Sequence, residues 1–129
     1  MHSQCPFCEL PVERIVDYNE SGLAVRDAYP VSPGHTLIIS RRHVRSLFDL
    51  LAVERDQLLS LVDRAKRALD EQYRPDAYNI GINDGAAAGQ TVPHLHIHLI
   101  PRYEGDLTDP RGGVRWVIPE KADYWSKKG

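Results

Sequence analysis

A chain of 129 residues with a net charge of −2 is the size of one domain with a real hydrophobic core, and a single domain over 1–129 is the expectation. Hydrophobic residues at 42% and charged residues at 26% sit close to the globular norm, so disorder is not the default reading. The charge balance gives no global attraction to nucleic acid or to an anionic membrane, so any anionic ligand must be held locally by a pocket.

The first chemical residues are Cys5 and Cys8, the only two cysteines. Arg14-Ile15-Val16-Asp17-Tyr18 and Leu23-Ala24-Val25-Arg26-Asp27 then flank an Asn19-Glu20-Ser21-Gly22 cluster and read as a β-hairpin. Pro30 and Pro33-Gly34 break the chain, and the β-branched Thr36-Leu37-Ile38-Ile39-Ser40 reads as a third strand.

From about Leu50 to Tyr73, Leu51, Leu58, Leu61, Val62, Ala65, Leu69 and Tyr73 recur at helical spacing between charged residues. This is the best helix in the chain, with Asp49 as its cap and Pro75 as its stop. Tyr78 to Asn83 alternates as a strand. A Gly85-Ala86-Ala87-Ala88-Gly89 turn leads to a last strand from His94 to Ile100, which Pro101 ends. Strands and helix come in blocks, which predicts an α+β fold with an antiparallel sheet and helix on one side. Beyond Arg102, Trp116 and Trp125 suggest an ordered extension over about 107–129. There Arg111, Arg115 and Trp116 could touch a ligand or simply pack.

No apolar run nears the roughly 20 residues needed to span a bilayer. Met1 to Pro6 show no basic region followed by an apolar stretch, so a cytoplasmic protein is expected.

His94, His96 and His98 alternate with Leu95, Ile97 and Leu99. On a strand, positions i, i+2 and i+4 share a face, so three imidazoles project together while three aliphatics enter the core. With 6 histidines in 129 residues, chance gives such a triplet on the order of one time in a hundred. Clustered imidazoles suit metal binding or nucleophilic and acid–base catalysis near neutral pH. The Gly85–Gly89 turn favours the second, because backbone N–H groups in a glycine-rich turn can cradle phosphate oxygens. Hydrolytic zinc sites often add a carboxylate, and none lies within the triplet.

Gly89-Gln90-Thr91-Val92-Pro93-His94-Leu95-His96-Ile97-His98-Leu99-Ile100 resembles the signature of the histidine-triad (HIT) superfamily. Ser32 to Ile39, with its own His35, and Asn83-Asp84-Gly85 are similar to that family in the same order and spacing, so the resemblance runs from about Cys5 to Asp106. It implies an α+β fold with a five-stranded antiparallel sheet, one long helix and a short helix, and a homodimer. It also implies a purine nucleotide substrate and a nucleotide hydrolase in which His96 attacks the α-phosphorus to form a nucleotidyl-histidine.

By the same resemblance His98 would hydrogen-bond the phosphate and His35 would orient the triad. Gly89, Gln90 and Thr91 would meet phosphate oxygens or the leaving group, Asp27 the ribose hydroxyls, and Asn83 the phosphate or sugar. Turn capping is the plainer reading of Asp27 and Asn83, and strand-entry packing that of Gln90 and Thr91. Dinucleoside polyphosphates and nucleoside phosphoramidates are the substrate classes implied, since features of the fragile-histidine-triad and Hint-like branches both occur. A low-turnover nucleotide-binding regulator and a zinc-dependent hydrolase are the rival readings.

Cys5-Pro6-Phe7-Cys8 has the gap of half a zinc site; a redox pair and plain structural thiols are the other readings. His43, His94 and His2 are available to complete a zinc site. Some bacterial HIT proteins are similar in binding zinc through such a pair and two histidines, here Cys5, Cys8, His43 and His94. A closed Cys2His2 set of that kind is structural, and no organic cofactor is expected.

Overall fold

The computed structural model describes residues 5–126. Five strands, β1 (Ile15–Tyr18), β2 (Gly22–Arg26), β3 (Thr36–Ser40), β4 (Ala77–Gly81) and β5 (His96–Arg102), form one sheet of order β1-β2-β3-β5-β4. Every neighbouring pair is antiparallel. The long helix α1 (Ala52–Tyr73) joins β3 to β4, and a short α2 (Pro119–Ala122) closes the chain.

The hairpin turn is built by Asn19, whose Oδ1 accepts from the N–H groups of Ser21 and Gly22, both at 3.0 Å. Gly22 is required for a different reason. A Cβ there would overlap Leu58 Cδ2, so the missing side chain is what lets Leu58 of α1 pack this closely on β2.

α1 buries Leu58, Leu61, Val62, Ala65 and Leu69 against Ala24, Ile38, Leu95, Ile97 and Leu99 of the sheet. Its start differs from the sequence reading. Asp49 lies in a preceding 3-10 turn, Leu50 is buried, and Leu51 is the exposed N-cap. The cap is supplied from inside the helix, where Glu54 Oε1 accepts from the Leu51 N–H at 2.8 Å. At the other end Arg74, in a left-handed conformation with φ 52°, ends the helix one residue before Pro75.

β5 starts two residues later than predicted and runs through Pro101. Its pairing with β3 stops at Leu99, so the absent Pro101 N–H breaks no ladder bond on that side. The Pro101 carbonyl there accepts from Ser32 Oγ at 2.6 Å.

The face of the sheet away from α1 buries much less. Val25, Leu37 and Ile39 form a small cluster there, covered by Phe7, Leu10 and Ile15. On β5, His96 lies opposite Ile39 and His98 opposite Leu37, so the imidazoles share this thinly covered face.

Candidate functional site

The alternation through Leu95 and β5 turns Leu95, Ile97 and Leu99 into the core, and the histidines go the other way. They differ from one another. His94 is buried, whereas His96 and His98 are half-buried.

In a neutral ring, hydrogen bonds fix which nitrogen carries the proton, because a carbonyl can only accept and a backbone N–H can only donate. His94 Nε2 lies 2.7 Å from the Ser40 carbonyl, so Nε2 is protonated and Nδ1 keeps its lone pair. His96 Nδ1 lies 2.8 Å from the His94 carbonyl, which leaves the lone pair on its Nε2. The Val31 N–H donates to His35 Nδ1 at 3.0 Å, so His35 carries its proton on Nε2. That N–H faces His98 Nδ1 at 3.0 Å and Asp27 Oδ2 at 3.4 Å. His98 Nδ1 is therefore an acceptor, and His98 presents Nε2–H.

Adjacent rings thus offer opposite functions. His96 presents a lone pair and His98 a proton, with centroids 5.2 Å apart. Burial pushes the His35 pKa below its ordinary value, with Asp27 opposing. Burial, then His96 and His35, do the same to His98, again with Asp27 opposing. Neutral imidazoles are what the tautomer chain needs.

The predicted ligand contacts divide. Asp27 Oδ1 accepts from the Tyr29 N–H at 2.8 Å and Oδ2 faces His35, so this carboxylate is both turn cap and triad neighbour. Four acceptor sites on a carboxylate leave room for further donors. Asn83 and Thr91 are exposed, and Asn83 lines a cavity of about 750 Å³ beside His35 and His98, walled by Ile100, Val114 and Trp116.

Gln90 is used differently from the expectation. Its Oε1 accepts from the Gly85 N–H at 2.8 Å, and its Nε2 donates to the Arg45 and Val92 carbonyls at 3.0 and 3.1 Å. The glycine-rich turn also departs from a cradle of open N–H groups. Its Ala88, Gly89 and Gln90 N–H groups donate back within the turn, to Gly85, Ala86 and Gly85 carbonyls. Gly85 and Gly89 permit this closure with φ of 101° and 98°. In the tail, Arg111 pairs with Asp109 and lies 4.9 Å from the Trp125 ring, while Arg115 donates to the Ala122 and Lys121 carbonyls. Packing accounts for both arginines, and Trp116 reaches the cavity wall.

Cys5, Cys8, His43 and His94 each bring one donor atom into a group that spans no more than 4.8 Å. His94 Nδ1 lies 3.3 Å from Cys5 Sγ and 3.6 Å from Cys8 Sγ, and His43 Nδ1 lies 3.1 Å from Cys8 Sγ. A tetrahedral ion with bonds of roughly 2.0–2.3 Å needs edges of roughly 3.3–3.8 Å, so the donor set fits a metal. The His94 Nε2–H on Ser40 is the outer hydrogen bond such a ligand makes. His2, also weighed for this role, lies outside the described residues.

Two groups were missed in the sequence. The Val31 N–H is backbone and carries no sequence signal. Phe7 sits with its ring centroid 4.9 Å from that of His96; its position inside the Cys-x-x-Cys turn was the available cue.

A sequence model described as HIT domain matches residues 11–105. The chain belongs to the HIT family. HIT relatives include the bis(5'-nucleosyl)-tetraphosphatase [asymmetrical] of Schizosaccharomyces pombe, 38% identical over 84% of this chain and 60% of the relative. The bis(5'-adenosyl)-triphosphatase of Saccharomyces cerevisiae is 35% identical over 93% of this chain and 56% of its own. The chain therefore spans less than two thirds of the length of these curated relatives. Among solved structures, a Zn-bound histidine triad family protein from Mycobacterium smegmatis superposes with a TM-score of 0.74 at 36% identity, over 84% of this chain and 82% of that one.

Proposed function

We propose that this HIT chain is a nucleotide hydrolase acting on dinucleoside polyphosphates or nucleoside phosphoramidates, with His96 as nucleophile. The observation that carries it is the 2.8 Å contact of His96 Nδ1 with the His94 carbonyl, which keeps the lone pair on the other nitrogen. The named activities of the HIT relatives support the dinucleoside polyphosphate class. The cavity beside His98 has the volume of a small-molecule site.

In the first step the Nε2 lone pair attacks the α-phosphorus. An N–P bond forms as the bond to the leaving polyphosphate, or amine, breaks. Water then attacks the same phosphorus, the N–P electron pair returns to His96, and the proton shed by water passes to solvent, offsetting the one a leaving amine takes up. Two steps replace one displacement that free water performs poorly. His98 Nε2–H donates to a phosphate oxygen, His35 holds His98 in that tautomer, and Asp27 holds His35. Asn83, on the cavity wall, and the exposed Thr91 would be donors to phosphate or sugar, while Gln90 and Gly89 shape the turn between them. Most of the barrier reduction comes from such positioning and charge stabilisation.

Rapid-quench reaction with a bis(5'-nucleosyl) tetraphosphate labelled at the α-phosphates tests this. Label on His96 supports the reading. His96→Asn that binds nucleotide but turns none over supports it too, and unchanged slow turnover in that variant favours a nucleotide-binding regulator instead.

We further propose that Cys5, Cys8, His43 and His94 bind one structural zinc, which would crosslink the N-terminal turn to β5 and leave His96 unligated. The donor spacings above and the Zn-bound HIT neighbour support this. Metal analysis of protein purified without chelator should find one zinc per chain, lost in Cys8→Ser. A homodimer is the assembly that goes with the HIT reading. The sheet edge at β4, with Ile80 half in solvent, is compatible with it, and sedimentation would decide.

A further inference from the structure

The His96 imidazole has restraints on three sides. Nδ1 is held by the His94 carbonyl. One ring neighbour is His98, at 5.2 Å and 63° between planes, and the other is Phe7, at 4.9 Å and 69°. The first comes from the turn that leads into β5 and the second from β5 itself. The third comes from a segment 89 residues away in sequence, and nothing in the proposed chemistry uses it.

Phe7 reaches that place through its own turn. The Cys8 N–H donates to the Cys5 carbonyl at 3.1 Å, which makes Cys5 to Cys8 a β-turn with Pro6 at its second position, where the fixed φ of proline suits it. Both ends of the turn carry the thiols that meet His43 and His94. The Phe7 ring rests on the Val25, Leu37 and Ile39 cluster, and Ile39 is the cross-strand partner of His96. An edge-to-face geometry within 7 Å is the favoured aromatic arrangement. It limits rotation of the imidazole about its own axis, the motion that would swing Nε2 away from an in-line phosphorus.

We infer that Phe7 is a positioning residue that braces the His96 ring, and that the Cys5–Cys8 turn, once closed by a metal, holds the brace in place. This rests on the reading of His96 as nucleophile and adds a distinct element. The metal cluster acts on the nucleophile through an aromatic ring, with no bond to it.

Two measurements test it. In zinc-loaded wild type, NMR should show an NOE between Phe7 ring protons and the His96 ring, together with a ring-current shift of His96. Chelation should weaken both. Phe7→Leu keeps an apolar side chain on Leu37 and Ile39 but removes the ring. Its kcat with a bis(5'-nucleosyl) tetraphosphate should fall about three- to tenfold, the factor an aromatic contact is worth, with KM within about twofold. Phe7→Tyr should restore most of the loss.

A wild-type spectrum without the NOE overturns the inference whatever the variants do. So does Phe7→Leu with unchanged kcat, or with a KM rise that accounts for the whole effect. Should wild type turn over none of these substrates, the hydrolase reading fails alone, because the NOE and its response to chelation still decide whether Phe7 braces the ring.

Discussion

The two faces of the sheet divide the work. Under α1, eleven buried residues make one continuous apolar cluster, while the buried apolar cluster on the opposite face is three residues among those described, Val25, Leu37 and Ile39. The second face is where His35, His96, His98 and the Cys–His cluster lie. β5 belongs to both, since its Ile97 and Leu99 fill the core while its His96 and His98 face the other way. Burial on one face can therefore hold the strand rigid without blocking the other. A change on one face should move stability or turnover, and seldom both.

The sharpest way to break that division is His96→Asn. If His96 is the nucleophile, kcat should drop on the order of 10⁴-fold or more, as with removal of other catalytic nucleophiles. The melting temperature should stay within about 3 °C, since the ring is half-buried and outside the main core. A large loss of stability with modest loss of turnover would mean that the chemistry lies elsewhere.

The converse change is Leu99→Ala, three residues along the strand on the core face. Leu99 is fully buried among the α1 leucines, so the cavity should cost about 3 kcal/mol in urea unfolding. The kcat of the folded fraction should stay within about threefold. A collapse of kcat would show that the faces are mechanically coupled. Gly22→Ala probes the same face from the sheet side. The new Cβ overlaps Leu58 Cδ2 and meets the Ile39 carbonyl at 3.2 Å, so the packed Leu58 side chain must shift, or α1 with it. Overpacking of this kind costs about 1–3 kcal/mol, again with little change in turnover.

What the sequence showed follows the same division. Periodicity revealed the core face, because Leu58, Leu61, Val62, Ala65 and Leu69 repeat every three or four residues and Leu95, Ile97 and Leu99 every two. It misplaced the helix start. Leu50 and Leu51 are equally apolar, and only the Glu54 bond to the Leu51 N–H determines which one caps. Proline was read as a terminator at Pro101, although a strand tolerates it where one neighbour has ended. On the chemical face, the motif named the histidines but not their protons. Those depend on carbonyls of Ser40 and His94 and an N–H of Val31, groups that every residue possesses. Gln90 shows the same limit, since its amide could serve a phosphate or its own turn, and only coordinates show that it serves the turn.

The smallest effect is also the most specific to the relay. Burial holds His35 and His98 below the ordinary histidine pKa in the folded chain, whereas the unfolded chain titrates near 6.5. Between those values the unfolded state binds more protons. The contribution of neutral burial is therefore complete above about pH 6.5 and is lost as pH falls below it. Each such histidine contributes a slope of at most about 1.4 kcal/mol per pH unit. Glu54 and Asp106, each held down to about 2 by an arginine, titrate well below this window and do not mimic it. His98→Gln removes one of the two imidazoles while keeping an amide of similar reach. Its unfolding free energy should fall less steeply than that of wild type between pH 6.5 and 5.5, both measured in the same zinc-supplemented buffer so that any proton-linked loss of metal is common to the two. If both proteins lose stability at the same rate, His98 is not buried as a neutral ring. The proton it is assigned to present to a phosphate would then have to come from elsewhere.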